Sequence, residues 1–159
     1  MPAKAAPRHW LFKSEPDVFS IADLERAPGR TTFWDGVRNY QARNFLRDDV
    51  KKGDFVLFYH SNAEPPHVAG TAIVVREAYP DPTQFDPADP HFDPKAKPDA
   101  PPWVVVEIKH AKTFRTPVDR SMLAADKATA GMEVLRRGSR LSIQPVTAAE
   151  YRAVVALGG

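Results

Sequence analysis

The chain has 159 residues, 43% hydrophobic and 26% charged, with a net charge of +2. These values fit one globular domain with its own core, and they exclude a polycation that holds nucleic acid by bulk charge. The absence of cysteine excludes disulfides, thiolate nucleophiles and cysteine-ligated zinc, and no apolar run approaches membrane-spanning length.

Residues 1–7 lack the apolar stretch of a signal peptide and read as a disordered lead-in. A single domain is expected over 8–158, in a cytoplasmic protein. Arg8 to Phe12 is a short apolar run that predicts a strand; Lys13, Ser14 and Glu15 come at its end, and Pro16 stops it. Ser20 is placed to cap a short helix carrying Ile21, Leu24 and Ala27, which Pro28-Gly29 terminates. Trp34 then stands beside the turn signal Asp35-Gly36. Between Tyr40 and Val50, the residues Ala42, Phe45, Leu46 and Val50 share one helical face. Phe33, Phe45 and Leu46 are assigned to the core. Arg43, Arg47 and Lys51 fall on the opposite face, either as a stripe along a phosphate backbone or as a solvated face paired with Asp48 and Asp49.

After Gly53-Asp54, the segment to Ser61 is apolar on both alternating faces, the pattern of a strand buried on both sides. Asn62 to His67 makes a turn into a second strand over Val68 to Val75. Pro80 to Pro102 holds eight of the sixteen prolines and is too long for a casual connection. Its Phe85 and Phe92 suggest a loop that packs down. Trp103 to Phe114 reads as a long strand, followed by a helix capped by Thr116 with Pro117 in its first turn. A second helix runs to Arg137 and stops at Gly138. Ser139 to Val146 is a last strand, and Thr147 with Glu150 forms a capping box for a helix ending at Gly158. Hairpins and irregular alternation point to α+β with a mixed or antiparallel sheet of five or six strands. The local charge is uneven: Lys109 to Arg140 carries a basic excess, and Asp81 to Asp99 an acidic one.

Chemistry-bearing patterns are sparse. The histidines at 9, 60, 67, 91 and 110 have no metal-ligand spacing, and the Asp-rich loop lacks the register of a calcium loop. No metal and no cofactor is expected. His60 has no nucleophile or orienting acid at recognisable spacing, so no catalytic residue is assigned. Glu15 and Ser14 can serve a base edge or simply end a strand.

Six ordered blocks carry a resemblance: HWLFKSEP, WDGVRNYQARNFLR, GDFVLFYHS, AYPDPTQFDP, HFDPKAKPDAPPWVVVEI and SRLSIQPVT. Together they resemble the EVE domain, a family with thymocyte nuclear protein-like members. The resemblance implies a PUA-like fold related to YTH and ASCH domains, with a curled, barrel-like mixed sheet. It implies a reader of a modified base in DNA or RNA, a modified cytosine in the first instance. In this reading Trp34 is one wall of an aromatic pocket, and Lys13, Ser14 and Glu15 form the polar edge. Asn39 is a pocket amide, and Tyr59 to Ser61 the opposite wall. Tyr59, Tyr79 and Trp103 are the candidates for the second aromatic wall. Lys13, Arg38 and Arg43 are implied phosphate contacts, with Arg47 next along the stripe. The alternative is a small hydrolase of modified nucleosides, as implied by ASCH-like relatives, using Lys13 with Glu15. No membrane partner is expected, and a monomer is favoured.

Overall fold

A computed structural model describes residues 6–139 and 141–159. Its strands are β1 (His9–Ser14), β2 (Thr31–Phe33), β3 (Phe55–His60), β4 (His67–Pro80), β5 (Val104–Asp119) and β6 (Ile143–Val146). They form one sheet in the order β2-β5-β4-β3-β1-β6. β1 and β3 are parallel, and every other neighbouring pair is antiparallel. A parallel pair needs a long crossover; this one carries α1 (Ile21–Arg26), β2 and α2 (Tyr40–Asn44). The sheet is mixed, as expected, but it is not closed into a barrel: the short strands β2 and β6 are its two edges and do not pair with each other. Register shifts at four places between β4 and β5 add local twist.

Side-chain alternation sorts the core into two layers. Trp10, Phe12, Val56 and Phe58 face α1 and α2, whereas Leu11, Leu57 and Tyr59 face α3 (Arg120–Ala125) and α4 (Ala148–Gly158). β3 is therefore buried on both faces, as its two-sided apolar pattern predicts. Asp54, 3% exposed, ties the start of this layer together. It accepts hydrogen bonds from the Arg8 and Lys51 N–H groups and from the Trp10 indole. Ser20 and Thr147 both form the side-chain caps that their sequence context suggests. No helix among the described residues is long and apolar enough to cross a membrane.

Several expected elements differ. The helix expected up to Val50 stops at Asn44 and continues as a π-helical turn over Phe45–Asp49. The wider turn keeps Leu46 and Val50 in the core and breaks the alignment of Arg43, Arg47 and Lys51. No helix starts at Pro117. β5 runs through it to Asp119, which caps α3. Pro117 lies where the β4–β5 register jumps from Gly70–Thr113 to Val68–Val118, a place where a missing N–H costs no ladder bond. In place of the helix reaching Arg137 there is a single 3-10 turn over Glu133–Leu135. β6 begins at Ile143 rather than Ser139, while Arg140 lies outside the described residues, as do residues 1–5 of the expected lead-in. β2 has no counterpart among the expected strands; its Thr-Thr-Phe pairs with β5 at the sheet edge and leaves Phe33 40% exposed rather than in the core.

His60 links the end of β3 to α1. Its Nε2 accepts from the Ile21 N–H at 3.1 Å, so Nδ1 carries the proton and donates to His67 Nε2, also at 3.1 Å. Burial, reinforced by neighbouring His67, lowers its pKa to about 4 from an unperturbed 6.5. Because the folded value lies below the unfolded one, the unfolded chain binds the proton first. Stability from this group is complete above pH 6.5 and is lost as pH falls toward 4. The loss amounts to at most about 3 kcal/mol. Urea midpoints measured from pH 7 to pH 4 are expected to fall more steeply for the natural chain than for His60→Gln. Parallel pH profiles would contradict this assignment.

Candidate functional site

The end of β1 is held on both sides. The Ser61 N–H donates to Ser14 O, and the Lys13 N–H donates to Ser142 O, each at 2.9 Å. The Ser14 hydroxyl donates to Phe19 O at 2.6 Å, and the Val18 and Phe19 N–H groups both donate to Glu15 O. Pro16 thus leads into a tight turn rather than a free loop. Across from it, the Trp34 N–H donates to Val106 O at 2.7 Å and extends the β2–β5 ladder by one residue. Asp35-Gly36 then turns the chain, with Gly36 at φ 79°, a conformation that suits glycine.

Between these two turns lies a cleft of about 460 Å³, within the usual range for small-ligand sites. Its aromatic lining is Phe19, Phe33, Trp34 and His91; its polar lining includes Lys13, Ser14, Glu15 and Asp35. Trp34 is only 6% exposed, with Phe58 edge-on at 5.3 Å and Phe12 tilted at 5.5 Å between ring centroids. Most of the ring is therefore core, and a small part borders the cleft. Val18 and Phe33, both exposed, add apolar surface to its lining.

His91 arrives from the long proline-rich loop, and that loop is fastened from below. Asp81 is fully buried and accepts from the Gly36 N–H, the Arg38 guanidinium, and the Thr83 N–H and hydroxyl. Burial pushes its carboxyl up, but those hydrogen bonds outweigh it and the net shift is downward. Arg38 also donates twice to His91 O, at 2.8 and 3.2 Å, and once to the Thr83 hydroxyl. Gln84 bonds to Asp81 O and to both backbone groups of Trp103. The His91 ring consequently lies on Gly36, where a Cβ would come within 2.5 Å of it. The start of the loop packs down through buried Asp81, Thr83 and Gln84 with Phe85 half-buried, whereas Phe92, expected to pack as well, is 38% exposed.

Burial and the nearby Arg120 lower the pKa of Lys13, opposed by Glu133. Burial raises that of Asp35; His91 opposes the shift, while Asp81 and Asp89 add to it. Among the described residues, Asp35, Asp89 and His91 form a group whose donor atoms, within 4.8 Å of one another, are close enough to hold a cation. His91 Nδ1, 3.3 Å from Asp89 and 3.4 Å from Asp35, occupies the space between the carboxylates.

The structure brings together Lys13, Ser14, Glu15 and Trp34 of the expected site. It places the others elsewhere. Asn39 caps α2 by accepting from the Ala42 N–H. Tyr59 is 2% exposed on the opposite core layer, and Ser61 serves the β1–β3 junction through its backbone. The Tyr79 hydroxyl donates to Glu107 at 2.7 Å; burial and that carboxylate raise its pKa to about 12. The Trp103 indole donates to Asp93, and its ring packs on Tyr40 at 4.9 Å. Arg38 is spent on the loop. Arg43 donates to Pro102 O, and Arg47 pairs with Asp48. Sequence reasoning did not single out Phe19, Asp35 or His91 as lining residues. The histidine in the proline-rich segment was a visible signal, but nothing local connects it to Gly36.

A second cleft of about 400 Å³ has Arg136 and Arg137 on its wall, with Glu133 and Leu141. Glu133 on its wall is near enough to Lys13 to act on its charge.

The chain matches the EVE domain over residues 8–157. It is 46% identical to human thymocyte nuclear protein 1 over 165 residues, which cover 94% of this chain and 73% of that protein. The structure of human THYN1 protein in complex with 5-methylcytosine containing DNA matches with a TM-score of 0.86 at 46% identity, over 95% of this chain and 97% of that one. The YTH domain of Zygosaccharomyces rouxii MRB1 protein in complex with N6-methyladenosine RNA matches with a TM-score of 0.55 at 13% identity, over 99% of this chain and 92% of that one, a likeness of fold alone.

Proposed function

The chain belongs to the EVE domain family, and we propose that it is a non-catalytic module that holds a modified base, a cytosine derivative in DNA or RNA, in the cleft beside Trp34. The carrying observation is the cleft itself. It opens at a strand end, has aromatic lining from Phe19, Phe33, Trp34 and His91, and has carboxylates at Glu15 and Asp35. Aromatic faces with polar groups at the edge suit a single extruded base. The exposed Val18 and Phe33 offer apolar surface to neighbouring bases. The human relative crystallised with 5-methylcytosine containing DNA supports the reading at 46% identity.

The flanking phosphates run along Lys13, Arg136 and Arg137 in this proposal, whereas Arg120 donates to Val134 O and Leu135 O. Lys13 is close enough to Arg120 to feel its charge, and Glu133 connects Lys13 to the second cleft. Titration with single-stranded DNA and RNA pairs that differ at one base is expected to favour the strand carrying 5-methylcytosine over cytosine. Equal affinity for both members of every pair would remove the proposal. Lys13→Gln and Arg137→Gln are each expected to flatten the dependence of log affinity on log salt by about 0.7–0.9.

One observation favours the hydrolase reading: a lysine with a lowered pKa lines a cleft beside Glu15, a combination also found in catalytic sites. Mass spectrometry of modified nucleosides incubated with substoichiometric protein separates the two readings. Turnover would favour the enzyme.

A further inference from the structure

We infer that Asp35 reads the exocyclic amine of the bound base, so that the cleft takes 4-aminopyrimidines and rejects 4-ketopyrimidines. This rests on the base-holding function proposed above and narrows its ligand class. A methyl group at C5 cannot define that ligand alone. Thymine carries the same methyl, so a wall that senses only the methyl would be filled by ordinary thymine. The two bases differ at position 4, where cytosine presents an N4–H donor and thymine an O4 acceptor. Selection therefore needs a protein acceptor at that edge.

The cleft has few groups free to supply one. Ser14 donates its proton to Phe19 O and keeps only the lone pairs of a neutral hydroxyl, a weaker acceptor than a carboxylate. The Lys13 side chain is a donor and suits a keto group equally well. The charged acceptors in the lining are the carboxylates of Glu15 and Asp35, the stronger partners for an amine N–H. Glu15 is exposed at the turn, whereas Asp35 is half-buried and directly follows Trp34. Among the described residues, the Asp35 carboxylate accepts no side-chain hydrogen bond, only one from its own backbone; the nearest ring nitrogen is His91 Nδ1, 3.4 Å away. Burial raises its pKa, and the carboxylates of Asp81 and Asp89 add to the effect. A half-buried carboxylate short of donors gains from an amine N–H and is repelled by a carbonyl oxygen. His91 is a positioning residue here: its backbone is clamped by Arg38 and its ring is seated on Gly36, beside Asp35.

The test uses the full chain and single-stranded DNA with one variable base: 5-methylcytosine, cytosine or thymine. The natural chain is expected to bind the 5-methylcytosine strand at least about tenfold more tightly than the thymine strand, the discrimination of one good edge contact. Asp35→Asn offers an amide donor as well as an acceptor, so that ratio is expected to fall toward one or invert. Glu15→Gln is expected to keep it. Equal binding of 5-methylcytosine and thymine by the natural chain, with cytosine still disfavoured, overturns this inference alone. A ratio kept in Asp35→Asn and lost in Glu15→Gln overturns the assignment to Asp35. No preference for 5-methylcytosine over cytosine overturns the base-reading function itself.

Discussion

Trp34→Ala is expected to destabilise the fold by about 3–5 kcal/mol, the range for deleting a large buried aromatic. The ring is 6% exposed, lies against Phe12, Phe19 and Phe58, and belongs to the larger core layer. Its substitution therefore leaves a cavity under β1 and β3 as well as an altered cleft. Urea unfolding checks this directly: the midpoint should fall while the slope stays constant. A cost below about 1 kcal/mol would mean that the ring is a surface wall, contrary to its packing. The consequence for binding experiments is practical. Lost affinity in Trp34→Ala cannot be assigned to stacking unless the variant is shown to be folded, and Trp34→Phe, which keeps a ring in the core, is the cleaner comparison.

Arg38→Ala is expected to cost about 3 kcal/mol, because it leaves the buried Asp81 carboxylate without its counter-charge. Asp81 is fully buried, and the Arg38 guanidinium sits 3.0 Å from it. The same substitution removes both clamps on His91 O. Affinity for a modified base is expected to fall with stability as the cleft loses its loop-borne wall. The salt dependence of binding is expected to stay unchanged, since this guanidinium faces the loop. A slope flattened by about 0.7–0.9 would instead identify a phosphate contact. The two roles assigned to Arg38, phosphate contact from the resemblance and loop clamp from the structure, thus differ in a measurable quantity.

The contrast between those roles marks how far the residue pattern reaches. Ser20 ahead of its short helix, and Thr147 with Glu150, are local signals, and both caps form, the first as a box with Asp23. The two-sided apolar pattern of β3 gives its central position without any partner being known. Where an element depends on a remote partner, the local pattern fails. β2 is three residues long and exists through β5; Pro117 is tolerated because β4 and β5 slip register beside it. A π-helical turn replaces the end of the expected helix, with Leu46 and Val50 still in the core, and nothing in the local pattern marks it.

The site divides along the same line. Lys13-Ser14-Glu15 and Trp34 are legible because a strand end and an Asp-Gly turn are local features, and both lie in the blocks that carry the family resemblance. Which aromatic stands with Trp34 is not a local matter. Tyr59 is turned to the other core layer by the two-residue period of β3, and Trp103 and Tyr79 are held by Asp93 and Glu107. His91, fifty-five residues beyond Gly36 in the chain, reaches the cleft because Arg38 and Asp81 join two distant segments. By itself the sequence determined the α+β class, the caps, the doubly buried strand and the strand-end cluster, all of them consequences of period and short-range chemistry. Only the tertiary structure decided the open sheet, the inward use of Arg38 and the approach of His91 to Asp35, because each depends on which remote segments the fold brings together.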